Sequence, residues 1–234
     1  MFRPIYPPRT RAREYCYLAV NIYDSCPHGC IYCYARAMAK RFGRPWGNEV
    51  NPRPGIVEAV QKQLVGMRGQ DKKIMLCFTC DPYPIGCDTS ATREVIRAIK
   101  ESGNHVQILT KGDETAQRDF DLLDHNDSFG VTWSGGDNCE PFAADHSLRI
   151  FNLSAAKLHG ITTWLSCEPV IDPTEIFRAV KHYAFVDIFR IGKLNNRRSN
   201  INWGAFGRGI ESTCKEHGRN YYIKEDLRKA MSEV

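Results

Sequence analysis

Apolar runs with strand-like composition alternate along the chain with amphipathic runs of helical spacing, and turn residues separate them. The strand-like runs cover residues 17–23, 73–79, 105–110, 128–134, 161–168 and 185–191. Helices are predicted at residues 35–42, 56–67, 92–102, 114–124, 147–159, 173–182 and 203–217. Strands connected through helices of this length favour right-handed crossovers and a parallel sheet. The alternation therefore predicts an α/β protein of six β/α units, either an open sheet or a partly closed barrel.

Both architectures place functional residues at the carboxyl ends of the strands. Polar and reactive residues stand at those positions in this sequence. In strand order they are Cys26, Cys30 and Cys33; Thr79, Cys80, Asp81 and Tyr83; Thr110 and Lys111; Thr132 and Ser134; Glu168; and Lys193. Because the carboxyl ends of parallel strands share one edge of a sheet, we expect a single functional site there.

Composition excludes several classes of protein. With 42% hydrophobic and 25% charged residues, the chain is typical of a globular domain rather than of a disordered or fibrous protein. Its apolar stretches are far shorter than the roughly 20 residues that cross a bilayer, and no apolar signal region follows the first methionine. We therefore expect a cytoplasmic protein that does not bind membranes. The net charge of +5 permits an anionic partner without requiring one.

Three of the ten cysteines fall within eight positions, in the pattern Cys26-x3-Cys30-x2-Cys33. The surrounding turn-forming residues allow the three thiolates to converge. A cubane iron–sulfur cluster takes one ligand per iron, so three protein thiolates leave one iron open to another molecule. The alternative is a structural zinc site in which His28 completes a Cys3His set, although His28 lies only two residues from each flanking cysteine.

The three-cysteine loop between a first strand and a helix resembles the signature of the radical S-adenosylmethionine (SAM) superfamily. The resemblance implies a [4Fe–4S] cluster on Cys26, Cys30 and Cys33, whose open iron binds SAM and whose electron cleaves it to a 5′-deoxyadenosyl radical. It also implies a partial (β/α)6 barrel. We accordingly predict one domain over residues 1–234, with a basic N-terminal arm (1–14), a barrel core (15–195) and a C-terminal helical extension (196–234).

Further motifs over residues 15–195 are similar to those of spore photoproduct lyase-like radical SAM proteins. The motifs occupy residues 30–35, 78–84, 108–112, 117–123 and 167–170. In that group, the backbone of Tyr32 would meet the adenine of SAM, residues 79–81 its amino group, and Thr110 and Lys111 its carboxylate. The remaining predicted cofactor-binding residues are Thr132, Ser134 and Glu168.

The reaction is expected to differ from lesion repair. The hydrogen-donor cysteine that spore photoproduct lyase carries near the end of strand two has no clear counterpart, and the nearest candidates are Cys77 and Cys80. We predict catalytic roles for Cys80, Tyr83 and Lys193 in a reaction of lyase or isomerase type. An external reductant such as flavodoxin or ferredoxin would supply the electron, and we expect a monomer.

Two basic segments interleaved with aromatic or apolar residues, 3–13 and 190–198, suggest a polyanionic substrate. Lys193, Arg197 and Arg198 would face it, and Tyr83 and Trp133 would stack on a flipped or single-stranded base. The favoured hypothesis is modification or rearrangement of a nucleic-acid base, a modified thymine in DNA above all, in a phage or bacterial pathway. The alternatives are radical chemistry on a small metabolite or peptide, and a non-catalytic zinc-containing nucleic-acid-binding protein.

Overall fold

A computed structural model describes residues 3–47, 49–195 and 197–233. Seven parallel strands form one sheet in the order of the chain. They are β1 (Leu18–Val20), β2 (Lys73–Leu76), β3 (His105–Thr110), β4 (Ser128–Thr132), β5 (Thr162–Cys167), β6 (Ile188–Ile191) and β7 (Tyr221–Ile223). The two edge strands, β1 and β7, do not pair with each other, so the sheet stays open. The predicted α/β fold with a partial barrel is confirmed.

In the described parts of the chain, seven α-helices accompany the strands. They are α1 (Tyr34–Arg41), α2 (Ile56–Val65), α3 (Ser90–Glu101), α4 (His146–Leu158), α5 (Pro173–His182), α6 (Trp203–Glu216) and α7 (Glu225–Ser232). Local sequence fixes several starts: Asp145 and Asp172 accept hydrogen bonds from the first turns of α4 and α5, at 2.8 Å each. The predicted helix at 114–124 is instead a 3-10 helix, Glu114–Leu122. That geometry aligns residues three apart, so Ala116 and the carboxylate of Asp119 are buried together.

A seventh strand and a seventh helix lie in the part of the chain predicted to be a helical extension. β7 hydrogen-bonds alongside β6, with Phe189 opposite Tyr221 and Ile191 opposite Ile223. Because β7 has three residues, its alternation is too short to stand out in the sequence.

Alternation along the strands divides the sheet residues between two faces. The outer face packs against the helices in the main core, with Val20, Leu76 and Leu165 among its buried residues. The inner face carries a separate apolar cluster that includes Met75 and Trp164.

The N-terminal segment, residues 3–16, contacts the sheet through a few of its residues. Tyr6, Tyr15 and Cys16 belong to the inner-face cluster, whereas the four arginines of the segment are exposed. Tyr6 pairs with Ala19 of β1, and the backbone carbonyl of Tyr15 accepts hydrogen bonds from Gln107 of β3 and Arg190 of β6. The ring of Tyr15 lies 5.7 Å from that of Trp164. The segment therefore connects strands from both halves of the open sheet.

Within the described residues, none of the helices combines the length and the apolar character needed to cross a membrane.

Replacing Tyr15 with alanine should lower the free energy of unfolding by about 3 kcal/mol, because the largely buried ring fills the inner face and its hydroxyl is hydrogen-bonded. Urea denaturation would measure the loss. The control is Tyr17→Ala two residues away, whose ring is 73% exposed and whose removal should change the value by less than about 0.5 kcal/mol. Equal effects of the two substitutions would contradict the docking of this segment.

Candidate functional site

Cys26, Cys30 and Cys33 lie on the loop between β1 and α1, which we call the cysteine loop (residues 24–33). A turn brings the Cys33 amide 3.1 Å from the Cys30 carbonyl, and the Cys33 thiol accepts a 3.4 Å hydrogen bond from the Arg36 amide at the start of α1. Burial raises the pKa of the Cys26 and Cys30 thiols; Cys30 adds to the increase at Cys26, and Cys33 adds to the increase at Cys30. The nearby Lys111 cation opposes both increases. The loop thus gathers three thiols beside one cation.

The donor set suits an iron–sulfur cluster better than a single zinc ion. In the described parts of the chain, no three His, Cys, Asp or Glu side chains are close enough together to hold one metal ion. The thiolates of a cubane cluster bind separate irons and need not meet at one point. The buried His28 is also engaged elsewhere: its Nε2 accepts from the Ile85 amide at 3.3 Å, and its Nδ1 lies 3.5 Å from Asp81. The fourth ligand of the zinc alternative is therefore occupied.

The Asp81 carboxylate joins the ends of β2 and β3. Its Oδ1 accepts from the Tyr83 amide at 2.9 Å and the Thr110 hydroxyl at 2.5 Å, and its Oδ2 accepts from the Lys111 amide at 2.9 Å. His28 of the cysteine loop lies against the same carboxylate. Three residues predicted to bind the cofactor, Asp81, Thr110 and Lys111, are therefore together beside the cysteine loop.

Tyr32, between the last two cysteines, belongs to a polar network that sequence reasoning missed. The Lys111 ammonium lies 5.8 Å from the centre of its ring, and its hydroxyl donates to Glu140. Glu140 pairs at 2.5 Å with the buried Arg149 of α4, which also donates to the Thr132 carbonyl at 2.9 Å. Burial raises the pKa of Glu140 to about 7, against the opposing charge of Arg149. The network ties the cysteine loop to the end of β4.

A polar atom without a partner lies at the end of β2. The Asn21 side chain accepts hydrogen bonds from the Phe78 and Thr79 amides at 2.8 and 2.9 Å, which fixes this backbone against the end of β1. The Thr79 hydroxyl is buried and has no hydrogen-bond partner among the described residues. Since buried polar groups are rarely left unpaired, this hydroxyl fits the edge of a ligand site.

Two aromatic residues predicted to stack on a substrate are buried instead. Tyr83 is 1% exposed and its hydroxyl donates to Asp119 at 3.1 Å. Trp133 is 6% exposed, its ring centre lies 4.4 Å from that of His146, and its indole donates to the Glu175 carbonyl at 3.3 Å. Neither ring has a face free for a base, because each packs into the core.

The other predicted site residues have varied surroundings. Glu168 accepts 2.5 Å hydrogen bonds from Tyr15 and from the buried Lys224, so its charge is already paired. Thr132 and Ser134 are buried, Cys80 is partly buried, and Lys193 is half-buried after β6. Arg197 and Arg198 are both exposed, and Arg197 donates to the Ile31 carbonyl of the cysteine loop. The ligand roles assigned to these residues from sequence stay predictions.

A signal for Arg149 was present in the sequence. Arg149, Asn152 and Ala156 share the buried face of α4. A charged residue at a helix position where the sequence pattern expects an apolar one predicts a buried ion pair. Lys224 follows the three-residue strand β7, and Glu140 follows a short 3-10 helix, Asp137–Cys139. Neither lies in a stretch long enough to show a periodic pattern of buried residues.

No protein-family model matches the chain. An uncharacterized protein of Methanocaldococcus jannaschii is 29% identical over 179 residues, covering 72% of this chain and 65% of that protein. An uncharacterized protein of Acidianus two-tailed virus is 28% identical over 181 residues, covering 70% and 59% respectively. The matched part thus spans less than two thirds of either relative.

Among solved structures, spore photoproduct lyase with bound S-adenosylmethionine and dinucleoside spore photoproduct superimposes with a TM-score of 0.65 at 13% identity, covering 89% of this chain and 76% of that one. This chain has the fold of spore photoproduct lyase. Streptococcus suis SuiB bound to S-adenosylmethionine also matches, with a TM-score of 0.67 at 9% identity over 92% of this chain and 52% of that one. Both are radical SAM enzymes, so the resemblance predicted from the motifs is confirmed at the level of the fold.

Replacing Asp81 with alanine should lower the free energy of unfolding by at least about 2 kcal/mol in the absence of any ligand, because three donors lose their acceptor in a buried position. Urea denaturation would measure it. Glu58→Ala on the exposed side of α2 is the matched removal of one carboxylate and should have almost no effect. A stable Asp81→Ala protein would show that the carboxylate serves a ligand rather than the fold.

Proposed function

We propose that this protein is a radical SAM enzyme in which Cys26, Cys30 and Cys33 hold a [4Fe–4S] cluster. The observation that carries the proposal is the cysteine loop: three thiols lie between a first strand and its helix, at the carboxyl edge of a sheet with the fold of spore photoproduct lyase. When bound, a cluster with one open iron would supply the electron that cleaves SAM to a 5′-deoxyadenosyl radical.

The chain's own residues would bind and orient SAM around this loop. The unpartnered Thr79 hydroxyl offers one hydrogen bond, and Asn21 holds its backbone in place. Asp81 Oδ2 accepts a 2.9 Å hydrogen bond from the Lys111 amide and lies 3.5 Å from His28 Nδ1, and a carboxylate oxygen has capacity for a further bond from an ammonium donor. The Lys111 ammonium, beside the Tyr32 ring, would meet a carboxylate. These contacts support the predicted assignment of the amino group of SAM to residues 79–81 and of its carboxylate to Thr110 and Lys111.

A nucleic-acid base, with a thymine derivative in DNA favoured, is the substrate that we propose. Spore photoproduct lyase is described in complex with dinucleoside spore photoproduct, and in the present chain the exposed Arg197 donates to the Ile31 carbonyl of the cysteine loop, which places a cation beside it. A base would have to be single-stranded or flipped to reach this edge of the sheet. The outcome would be a lyase- or isomerase-type rearrangement or modification of that base.

The setting that we propose is the cytoplasm of a bacterium, including one infected by a phage that encodes the protein. A flavodoxin or ferredoxin would reduce the cluster there, and the protein would act as a monomer.

Anaerobic reconstitution with iron and sulfide tests the proposal. The reduced protein should give an electron paramagnetic resonance signal of a cubane cluster that changes when SAM is added, and it should form 5′-deoxyadenosine. Cys30→Ser should abolish both, because one of the three ligands is lost.

The matched control is Cys139→Ser. The Cys139 carbonyl accepts a 2.9 Å hydrogen bond from the Ile31 amide of the cysteine loop, yet its thiol is not a proposed ligand. This variant should keep both the signal and the nucleoside product. Bound zinc without a cluster, or a signal that Cys139→Ser removes as completely as Cys30→Ser does, would overturn the proposal.

A further inference from the structure

A groove of about 870 Å³ runs along α1 beside the cysteine loop, and we call it the α1 groove. Its lining comes from the cysteine loop, from α1 and the segment that follows it, and from the loop after β6. The lining residues that matter here are Tyr34, Arg36, Lys40, Arg41, Arg44, Trp46 and Arg197. Tyr32 and Cys33 are among the lining residues, so the groove adjoins the proposed cluster site.

The cations of the α1 groove are not neutralised by acidic neighbours. Between Asp24 and Glu49 the chain has four cationic side chains and no acidic one, whereas the net charge of the whole chain is +5. Arg36 and Lys40 are four residues apart and share one face of α1. All five groove cations are exposed, and none forms an ion pair with the residues that the structure describes. Such a concentration of unpaired positive charge attracts a polyanion.

The reason for the open face of α1 lies in its sequence. The helix buries Ala35 and Ala39, two small residues one turn apart, and leaves the rest of its surface uncovered. Small side chains let the helix lie close to the body of the protein while the long cationic side chains project outward. The groove cations therefore do not contribute to the core.

Aromatic rings stand among these cations. Phe42 is 63% exposed, and the guanidinium groups of Arg41 and Arg44 lie 5.9 and 5.7 Å from the centre of its ring. Tyr34 is 47% exposed, and Trp46 lines the groove half-buried. If the partner were an acidic protein, the cations alone would be enough to bind it, and the exposed rings would have no role. Exposed rings between cations are typical of surfaces that bind the phosphates of a single strand and stack its bases.

We propose that the α1 groove binds single-stranded nucleic acid and guides it to the cysteine loop. The inference rests on the proposed function, since it names the path by which the substrate strand reaches the site. The phosphates would lie along Arg36, Lys40, Arg41 and Arg44, and Arg197 would close the groove from the loop after β6. Arg198 does not line the groove, so the proposed path does not include it.

Binding to a fluorescent dT15 oligonucleotide tests the proposal on the reconstituted protein, by fluorescence anisotropy over a range of salt concentrations. The triple variant Lys40→Gln, Arg41→Gln and Arg44→Gln should bind at least about tenfold more weakly. Each phosphate contact on a single strand contributes about 0.7 to the slope of log K against log salt, so the magnitude of the slope should fall by about 2.

The matched control removes the same charge at the other end of the sheet. Lys62, Arg68 and Lys72 are exposed at or before the amino end of β2, opposite the cysteine loop. The triple replacement of these residues with glutamine should leave both the affinity and the salt slope unchanged. If the two triple variants lose affinity equally, net charge rather than the α1 groove binds the oligonucleotide, and the proposal fails.

Trp46 gives a local readout. Adding dT15 should quench tryptophan emission, and Trp46→Phe should remove that quenching. Of the other three tryptophans, Trp133 and Trp164 are buried, and Trp203 packs against the main core and does not line the groove. Quenching that persists in Trp46→Phe would place the strand elsewhere. A fifteen-base-pair duplex or polyglutamate that competes as well as dT15 would also overturn the proposal. A matching U15 oligonucleotide distinguishes DNA from RNA as the source of the strand.

The binding assay requires neither SAM nor reductant, so it is separate from the test of the proposed function. Formation of 5′-deoxyadenosine by the parent protein reports on the proposed function alone. Groove-dependent binding without that product would overturn the radical chemistry and keep the groove. If the parent protein forms 5′-deoxyadenosine but the groove variants bind the oligonucleotide as well as the parent does, the groove proposal fails and the radical chemistry is kept.

Discussion

The buried carboxylate of Asp81 is the interaction on which the arrangement of the site depends. Parallel strands end independently, and nothing in a sheet ladder fixes the chain beyond its last hydrogen bond. Asp81 supplies that connection, because it accepts from a hydroxyl and two backbone amides beyond β2 and β3 and lies against His28 of the cysteine loop. Hydrogen bonds to an ionised acceptor are shorter and stronger than neutral ones, which suits them to holding three segments at once.

The open sheet is completed on its inside by the N-terminal segment. Tyr15 contacts the inner face, donates to Glu168 and lies 4.3 Å beneath the Lys224 ammonium, while Glu14 accepts from the Tyr222 hydroxyl and the Glu225 amide. Tyr222 of β7 and the residues that follow β5 and β7 are thereby joined to the segment that precedes β1. An open seven-stranded sheet has two free edges, and this segment connects them without closing the barrel.

Two buried charge pairs, Glu140 with Arg149 and Glu168 with Lys224, lie at the functional edge of the sheet. Pairs of this kind contribute little net stability, since desolvation offsets much of their attraction. Their effect is positional: one ties Tyr32 to β4, and the other ties β5 to β7. The cations of the α1 groove lie at the same edge. The buried ion pairs hold the site in place, and the neighbouring unpaired cations would bind a substrate.

The sequence alone determined the class of fold and predicted a candidate site at the carboxyl ends of the strands. The period of apolar residues is a local property, and so are the spacing of Cys26, Cys30 and Cys33 and the positions of polar residues after strands, which is why a single sequence carries them. The predicted class of fold agrees with the structure, and the ligand roles stay predictions. Tertiary structure decided the features that depend on contacts between distant residues. Tyr83 and Trp133 face the core because Asp119 and His146 lie there. Tyr6 and Tyr15 dock because the sheet presents an apolar inner face, and β7 forms because β6 provides an edge. Pairings across more than a hundred residues, such as Glu168 with Tyr15 or Tyr32 with Glu140, leave no periodic trace in a single sequence, because only the folded chain brings their atoms together.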